Sequence, residues 1–196
     1  MLFLLLGRLV QFPGKLLIKV VTALIGDNSP FQSSTDKRQI AHQIGAVQSG
    51  YSLPEAIATL KREGIRPIAK IDVFADHLLA GSRPQWAVMD SKSKGLWADK
   101  NGLHWTKPYE DEIWDYNIDL ALELVALGFA EIQFDYTRFP SNGILRNIRY
   151  PNAPPQADRP QAIAAFLERA YGRLKPHGVV ISVDLFGLSA WKRDDL

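Results

Sequence analysis

Apolar and polar positions along the chain follow two alternating patterns. Short apolar runs with the composition of buried strands are separated by longer segments in which apolar residues recur at helical spacing. Strands are predicted at residues 66–74, 130–135 and 179–185. Helices are predicted at residues 52–64, 109–127 and 159–174. Strands that alternate with helices indicate an α/β fold with a parallel sheet and right-handed crossover connections.

The beginning of the chain has no decisive pattern. Residues 16–25 suit either a further strand or a short helix, and residues 26–39 suit a loop. We therefore predict an apolar N-terminal segment over residues 1–26, followed by one α/β domain over residues 27–196. The segment itself could be a buried strand or helix, an export signal or anchor, or a start within a longer gene.

The apolar run at the N-terminus is too short to cross a membrane. It starts at Met1 and is interrupted by Gly7 and Arg8, whereas a membrane span needs about 20 consecutive apolar residues. It also lacks the basic start and the small-residue cleavage site of a secretory signal peptide. The sequence therefore predicts neither a membrane span nor a clear signal peptide.

The loops on the two ends of the predicted strands differ in length. Long loops at residues 75–108 and 136–158 follow strands, and short ones follow the helices. Loops of this length are usually functional, and α/β enzymes place their sites at the C-terminal ends of the strands. A complete (β/α)8 barrel needs about 250 residues. Because the chain has 196 residues, we predict a partial (β/α)8 TIM barrel with its C-terminal strands missing, in preference to an open sheet.

Each predicted strand has one apolar and one polar face, because side chains alternate along a strand. The polar faces end in carboxylates, which are Asp72 or Asp76 on the first strand, Asp135 on the second and Asp184 on the third. Buried polar groups without partners cost free energy, so these side chains should line a site or pair with one another. We predict that the carboxylates converge at one edge of the sheet.

Three kinds of chemistry suit such carboxylates. In glycoside hydrolysis one carboxyl protonates the leaving oxygen while another acts as nucleophile or base. A divalent-metal site could instead use the carboxylate oxygens as ligands. The third possibility is a structural ion-pair network with Lys70 and Arg138.

Aromatic and basic residues near the strand ends are candidates for substrate binding. Tyr136 and Arg138 follow Asp135 directly, and either could contact a substrate or serve the loop alone. Trp97 and Trp105 lie in the first long loop, where an indole could stack on a sugar ring or simply pack.

Composition narrows the classes of protein further. With 23 Lys and Arg against 21 Asp and Glu, the net charge of +2 does not favour nucleic acid as a partner. The absence of Cys excludes thiol nucleophiles and Cys-ligated metals. No phosphate-binding loop, dinucleotide fingerprint, zinc-protease motif or serine-hydrolase elbow is present. We therefore predict no cofactor, and the composition leaves the oligomeric state open.

Several segments resemble a bacterial family of glycoside-hydrolase-like TIM-barrel domains. The segment EIQFDYTRFP at residues 131–140 resembles the family signature, and GIRPIAKIDVFAD at 64–76 resembles its strand G-I-x-P-I-A-R-x-x-x-F-x-D. GLWADKNGLHW at 95–105 resembles its tryptophan-rich insertion. The flanking helix at 112–129 and the strand VVISVDLFGLSAW from residue 179 are similar as well.

The resemblance implies a (β/α)8 barrel that acts on glycosidic bonds, often at the cell envelope or outside the cell. It places the active-site carboxylate at Asp135, with Tyr136 and Arg138 beside it and with Asp76 and Asp184 at the ends of neighbouring strands.

This chain departs from the family pattern at three places. His77 stands where a Pro usually follows the first strand's Asp, and Lys107 precedes Pro108 where an Asp is usual. The family also continues beyond Leu196, so we expect this chain to be a fragment.

The combined prediction is a glycoside hydrolase that acts on a polysaccharide, whose activity the fragment could lack. Its catalytic residues would be Asp135, Asp184 and Asp76, and its substrate-binding residues Tyr136, Arg138, Trp97, Trp105 and Asp72. The alternatives are a non-catalytic carbohydrate-binding barrel and a hydrolase that depends on a divalent metal.

Overall fold

The computed structural model describes residues 53–154 and 158–185, and the backbone of residues 11–12 and 15–19. Its strands are β1 (Gln11–Phe12), β2 (Lys15–Lys19), β3 (Arg66–Asp72), β4 (Met89–Asp90), β5 (Glu131–Asp135), β6 (Ile148–Arg149) and β7 (Val180–Val183). Its α-helices are α1 (Leu53–Arg62), α2 (His77–Ser82), α3 (Asp111–Leu127) and α4 (Arg159–Leu174).

Five of these strands form one sheet in the order β1–β2–β3–β5–β7. β1 and β2 are antiparallel, whereas the other neighbours are parallel. Helices α3 and α4 connect β3 to β5 and β5 to β7, as the alternating pattern predicted. Within the described residues β7 is the last strand of this sheet. The α/β class and the parallel strands predicted from the sequence are confirmed.

The parallel register aligns polar residues across three strands. Lys70 of β3 is paired with Gln133 of β5, and Gln133 is paired with Ser182 of β7. At the C-terminal end of the strands Asp72 is paired with Asp135. Side chains in register on neighbouring strands point to the same side of a sheet. The register therefore gathers these residues on one surface, called the polar face below.

The opposite face of the sheet packs against the helices. Ile71 and Phe134 are fully buried there. The ring of Phe166 on α4 lies 5.4 Å from that of Phe134 and 5.5 Å from that of Phe74, both in edge-on geometry. Burying a large apolar side chain of this kind contributes about 1.5–3 kcal/mol. This packing turns the polar face away from α3 and α4.

The two long loops contact each other beyond the ends of the strands. The loop after β3 contains α2 and β4, and β4 pairs with β6, which belongs to the loop after β5. Isolated bridges link Ala87 to Thr106, Met89 to Leu96 and Ala98 to His104. The loop predicted at residues 75–108 is therefore a folded insertion that rests on the next loop along the sheet.

Strand β2 lies inside the predicted N-terminal segment and pairs in parallel with β3. The sequence allowed a strand here, and the structure shows that it joins the main sheet. The predicted loop at residues 26–39 and the chain after residue 185 lie outside the described residues. Among the described helices, none combines the length and the apolar character needed to cross a membrane.

Candidate active site

The polar face carries a compact group of charged side chains near the C-terminal ends of β3, β5 and β7. The Lys70 ammonium forms an ion pair with Asp135 Oδ2 and lies 3.9 Å from Asp184 Oδ2. The Gln133 amide donates a hydrogen bond of 2.7 Å to the other oxygen of Asp184. The side chains of Lys70 and Asp135 are 17% and 20% exposed, and that of Asp184 is 44% exposed. We call Lys70, Gln133, Asp135 and Asp184 the carboxylate cluster.

A second polar layer lies below the carboxylate cluster. Arg66 forms an ion pair of 3.2 Å with Glu131, and the Ser182 hydroxyl donates a hydrogen bond of 2.8 Å to the same carboxylate. These three residues stand in the same phase of their strands as the cluster above. Paired charges thus run along the polar face from one end of the strands to the other.

The charges around Lys70 determine its ionisation. Burial alone would lower its pKa, but the hydrogen bond and charge of Asp135 and the charges of the other nearby carboxylates together raise the pKa above its ordinary value. The charges of Asp72 and Asp184 act in the same direction. Lys70 is therefore a firmly charged ammonium among three carboxylates.

The backbone immediately after Asp135 has an uncommon conformation. Tyr136 has a φ of 51°, in the left-handed region that non-glycine residues rarely adopt. Its N–H donates a hydrogen bond of 2.6 Å to Asp135 Oδ1. Strained backbone of this kind costs about 1–3 kcal/mol and is concentrated at functional sites. Both oxygens of Asp135 are thus held, one by Lys70 and one by Tyr136.

Arg138 lies behind this turn, where it is 8% exposed. Its guanidinium lies 5.1 Å from the centre of the Trp105 ring and 5.2 Å from that of Tyr136. It also donates hydrogen bonds to the Phe139 carbonyl and the Ser141 hydroxyl. Arg138 therefore fastens the loop that follows Asp135.

Trp97 and Trp105 are both about 1% exposed. The Trp97 indole donates to the Ile144 carbonyl at 3.2 Å, and the Trp105 indole donates to Asp99. Stacking on a sugar needs an exposed ring face, and burial removes that face from both. Of the two alternatives for these residues, their burial favours packing of the two long loops, and their assignment to substrate binding stays a prediction.

Asp76 lies outside the carboxylate cluster. It is 5% exposed, and its carboxylate accepts a hydrogen bond of 2.9 Å from the Leu79 N–H at the start of α2. Such a cap contributes about 1 kcal/mol to stability. The structure thus gives Asp76 a capping role. Asp72 remains on the polar face, beside Asp135 and close enough to Lys70 to influence its charge.

The family of this chain is shown by comparison with known proteins. The sequence model of the family described as "Putative glycosyl hydrolase domain" matches residues 26–196. The chain belongs to this family. No curated protein matches the chain.

Solved structures similar to this chain fall into two groups. A hypothetical protein from Ruminiclostridium thermocellum is 30% identical with a TM-score of 0.73, and the match covers 89% of this chain and 84% of that one. An α-galactosidase from Lactobacillus brevis is 14% identical with a TM-score of 0.51, over 67% of this chain and 18% of that one.

A chitobiase from Flavobacterium johnsoniae is 13% identical with a TM-score of 0.50, and the match covers 76% of this chain and 24% of that one. At such low identity the similarity to these two enzymes concerns the fold. The matched part of this chain covers less than a quarter of either enzyme chain.

Two members of the carboxylate cluster are not among the candidate site residues predicted from the sequence. The sequence predicts Lys70 only as a partner in a structural ion-pair network, and it does not single out Gln133. The signal for both was strand phase, since they alternate with buried apolar residues. Among the described residues, no group of three or more His, Asp or Glu side chains could hold a metal ion.

Proposed function

We propose that this chain cleaves glycosidic bonds in a polysaccharide, with Asp135 as nucleophile or base and Asp184 as the acid. One observation supports the proposal above others: carboxylates from two neighbouring parallel strands meet at one ammonium at the C-terminal end of the sheet. Membership of a glycosyl hydrolase family gives the same reaction class. Two acidic groups beside one bond are what glycoside hydrolysis requires.

The two carboxylates have different surroundings, which suits different roles. Asp135 is held at one oxygen by Lys70 and at the other by the Tyr136 N–H, so its orientation is fixed. Asp184 lies farther from Lys70 and is the more exposed of the two. A charged Asp135 can attack the anomeric carbon or activate a water molecule, while Asp184 gives its proton to the leaving oxygen. The Gln133 amide holds Asp184 in place for this step.

We also propose that the sheet is an arc of a (β/α)8 barrel and that the polar face lines its interior. The fold similarity to two TIM-barrel glycoside hydrolases supports this arrangement. Barrel enzymes carry their catalytic residues at the C-terminal ends of the strands, where Asp135 and Asp184 lie. The rest of the barrel would then complete the substrate site around the carboxylate cluster.

The test replaces each carboxylate by its amide. Asp135→Asn and Asp184→Asn should each lower hydrolysis of a responsive polysaccharide or nitrophenyl glycoside by about 10²–10⁴-fold, as expected for loss of a catalytic acid or base. Asp111→Asn is the matched control, because Asp111 lies on α3 with its side chain 62% exposed. Reducing-end release and urea unfolding are measured for all four proteins.

Three results would contradict the proposal. Hydrolysis retained by both amide variants would mean that other groups catalyse the reaction. Tight polysaccharide binding without hydrolysis by the wild type would instead support a carbohydrate-binding barrel. Loss of wild-type hydrolysis in EDTA, restored by a divalent cation, would favour the metal-dependent alternative.

A further inference from the structure

Lys70 lies on the polar face of the sheet. It lies on β3 between Ile68 and Asp72 in the same strand phase. Its ammonium forms an ion pair with a carboxylate of β5 and lies 3.9 Å from one of β7. One side chain of β3 is therefore close to the charged groups of β5 and of the end of β7.

Lys70 contacts the two carboxylates unequally. Lys70 binds Asp135 Oδ2 directly, whereas its distance of 3.9 Å from Asp184 is too long for a hydrogen bond. Gln133, which contacts Asp184 instead, is paired with Lys70 in the sheet register. The Lys70 ammonium thus binds Asp135, and the Gln133 amide binds Asp184.

An ion pair that only stabilised the sheet would not need to lie at the C-terminal ends of the strands. Replacing both partners of a buried ion pair by apolar residues of similar volume is often neutral or stabilising, so stability alone does not require an ion pair at this place. Lys70 lies at the strand ends, beside a strained turn and between two carboxylates of different exposure. The polar layer beneath, formed by Arg66 and Glu131, already pairs charges on the same strands.

We propose that Lys70 is a positioning residue of the hydrolase: its ammonium binds one oxygen of the Asp135 carboxylate and fixes the direction of that carboxylate for attack. The inference rests on the proposed function of Asp135. Lys70 stays protonated throughout and transfers no proton to the substrate.

The geometry leaves Asp135 able to react. Tyr136 N–H contacts Oδ1 and Lys70 contacts Oδ2. An ionised carboxylate offers about four lone-pair positions, so each oxygen retains one for a sugar carbon or a water proton. Two contacts from opposite oxygens prevent rotation of the carboxylate, and such fixed orientation is a principal source of catalytic rate.

The kinetic test compares Lys70→Met with Lys70→Arg. Methionine keeps the apolar stem and removes the charge, so kcat should fall by roughly 10²–10³-fold, as for loss of one preorganised charged contact, while KM changes less than about threefold. Arginine restores a cation, so the kcat of Lys70→Arg should be at least about tenfold higher than that of Lys70→Met. Lys92→Met, in an exposed turn, is the matched control and should retain wild-type kinetics.

A second measurement does not depend on activity. Acetic anhydride labels only neutral amines, so pairing with Asp135 should keep Lys70 slow to react. In Asp135→Asn the labelling rate of Lys70, followed by mass spectrometry, should rise by about tenfold for each unit by which its pKa falls. The rate at Lys92 should stay unchanged, and Asp111→Asn should leave Lys70 slow.

The outcomes distinguish this inference from the proposed function. If Lys70→Met folds and retains kcat while Asp135→Asn is inactive, the positioning role is overturned and the carboxylate mechanism stands. If Asp135→Asn retains activity, the proposed function fails, and the role of Lys70 fails with it. An unchanged labelling rate of Lys70 in Asp135→Asn overturns the pairing, including in the case where Lys70→Met does not fold.

Discussion

Arg138 lies in a corner formed by the rings of Trp105 and Tyr136. Burial lowers its pKa, against the charges of Tyr136, Asp135 and Asp99 that raise it. The sequence placed Arg138 three residues after Asp135 and predicted a supporting or binding role. It could not predict the contact with Trp105, because that residue comes from the preceding long loop. At the residue scale, local spacing identified the group and tertiary contact determined its surroundings.

The variant Arg138→Lys tests whether the contacts of the Arg138 guanidinium with the two rings stabilise the fold. Lysine keeps the charge but lacks the planar guanidinium that lies against two rings and donates to Phe139 and Ser141. We expect a loss of about 1–3 kcal/mol in the free energy of unfolding, measured by urea denaturation. The control Arg146→Lys changes an exposed arginine and should stay within about 0.5 kcal/mol of wild type. Equal free energies of unfolding for the two variants would show that the contacts of the Arg138 guanidinium do not stabilise the fold.

Helix and strand boundaries followed the sequence closely where a local signal was present. Helix α4 spans the predicted residues 159–174, and α3 ends at Gly128 as predicted. Gly128 has a φ of 101°, and the N–H groups of Gly128 and Phe129 donate to carbonyls of the last helical turn. Such a cap needs a left-handed residue, which favours glycine. The strands came out shorter than predicted, since pairing with a neighbour rather than composition sets where a strand ends.

Gly128→Ala and Gly172→Ala form a matched pair at the element scale. Alanine at position 128 would have to adopt the left-handed conformation, and we expect a loss of about 1–2 kcal/mol in unfolding free energy. Gly172 lies inside α4, has open space around it and is exposed. Alanine there should stabilise the protein by about 0.5–1 kcal/mol, because glycine is a poor helix former. Thermal unfolding should shift in opposite directions, and shifts of the same sign would contradict the assignment of the cap.

Three tyrosines, of which Tyr116 is buried and Tyr109 and Tyr150 are half-buried, should respond to alkaline pH together. Burial raises the pKa of Tyr116, and the charges of Asp76 and Glu123 add to it. Burial likewise raises the pKa of Tyr109 and Tyr150. In each case the neutral phenol is favoured by the fold, whereas the unfolded chain ionises near pH 10. Their contribution to stability is therefore complete below that pH and is lost as pH rises above it.

We expect the urea midpoint of the protein to fall steeply above about pH 10. Tyr150→Phe should make this fall shallower, because one buried ionisable group is removed. At pH 8 the same variant should unfold within about 0.5 kcal/mol of wild type, since the Tyr150 hydroxyl has no hydrogen-bond partner among the described residues. An identical pH dependence in both proteins would show that Tyr150 ionises as freely when folded as when unfolded.

The sequence alone determined the features that depend on neighbours along the chain. The period of two in β3, β5 and β7 separated apolar from polar faces and placed Asp135 and Asp184 on the polar one. Helix spacing and the alternation of elements established a parallel α/β sheet, because both patterns are repeated locally.

Only the tertiary structure decided which of these groups meet. Sheet register brings Lys70 to Asp135, and packing between the two long loops buries Trp97 against a carbonyl 47 residues away. Register and loop packing arise from contacts between residues that are distant in the chain, where many pairings have similar local patterns. For this reason the sequence predicted the carboxylates of the candidate site and named Lys70 only in a structural ion-pair network, whereas the fold decided that its ammonium binds Asp135.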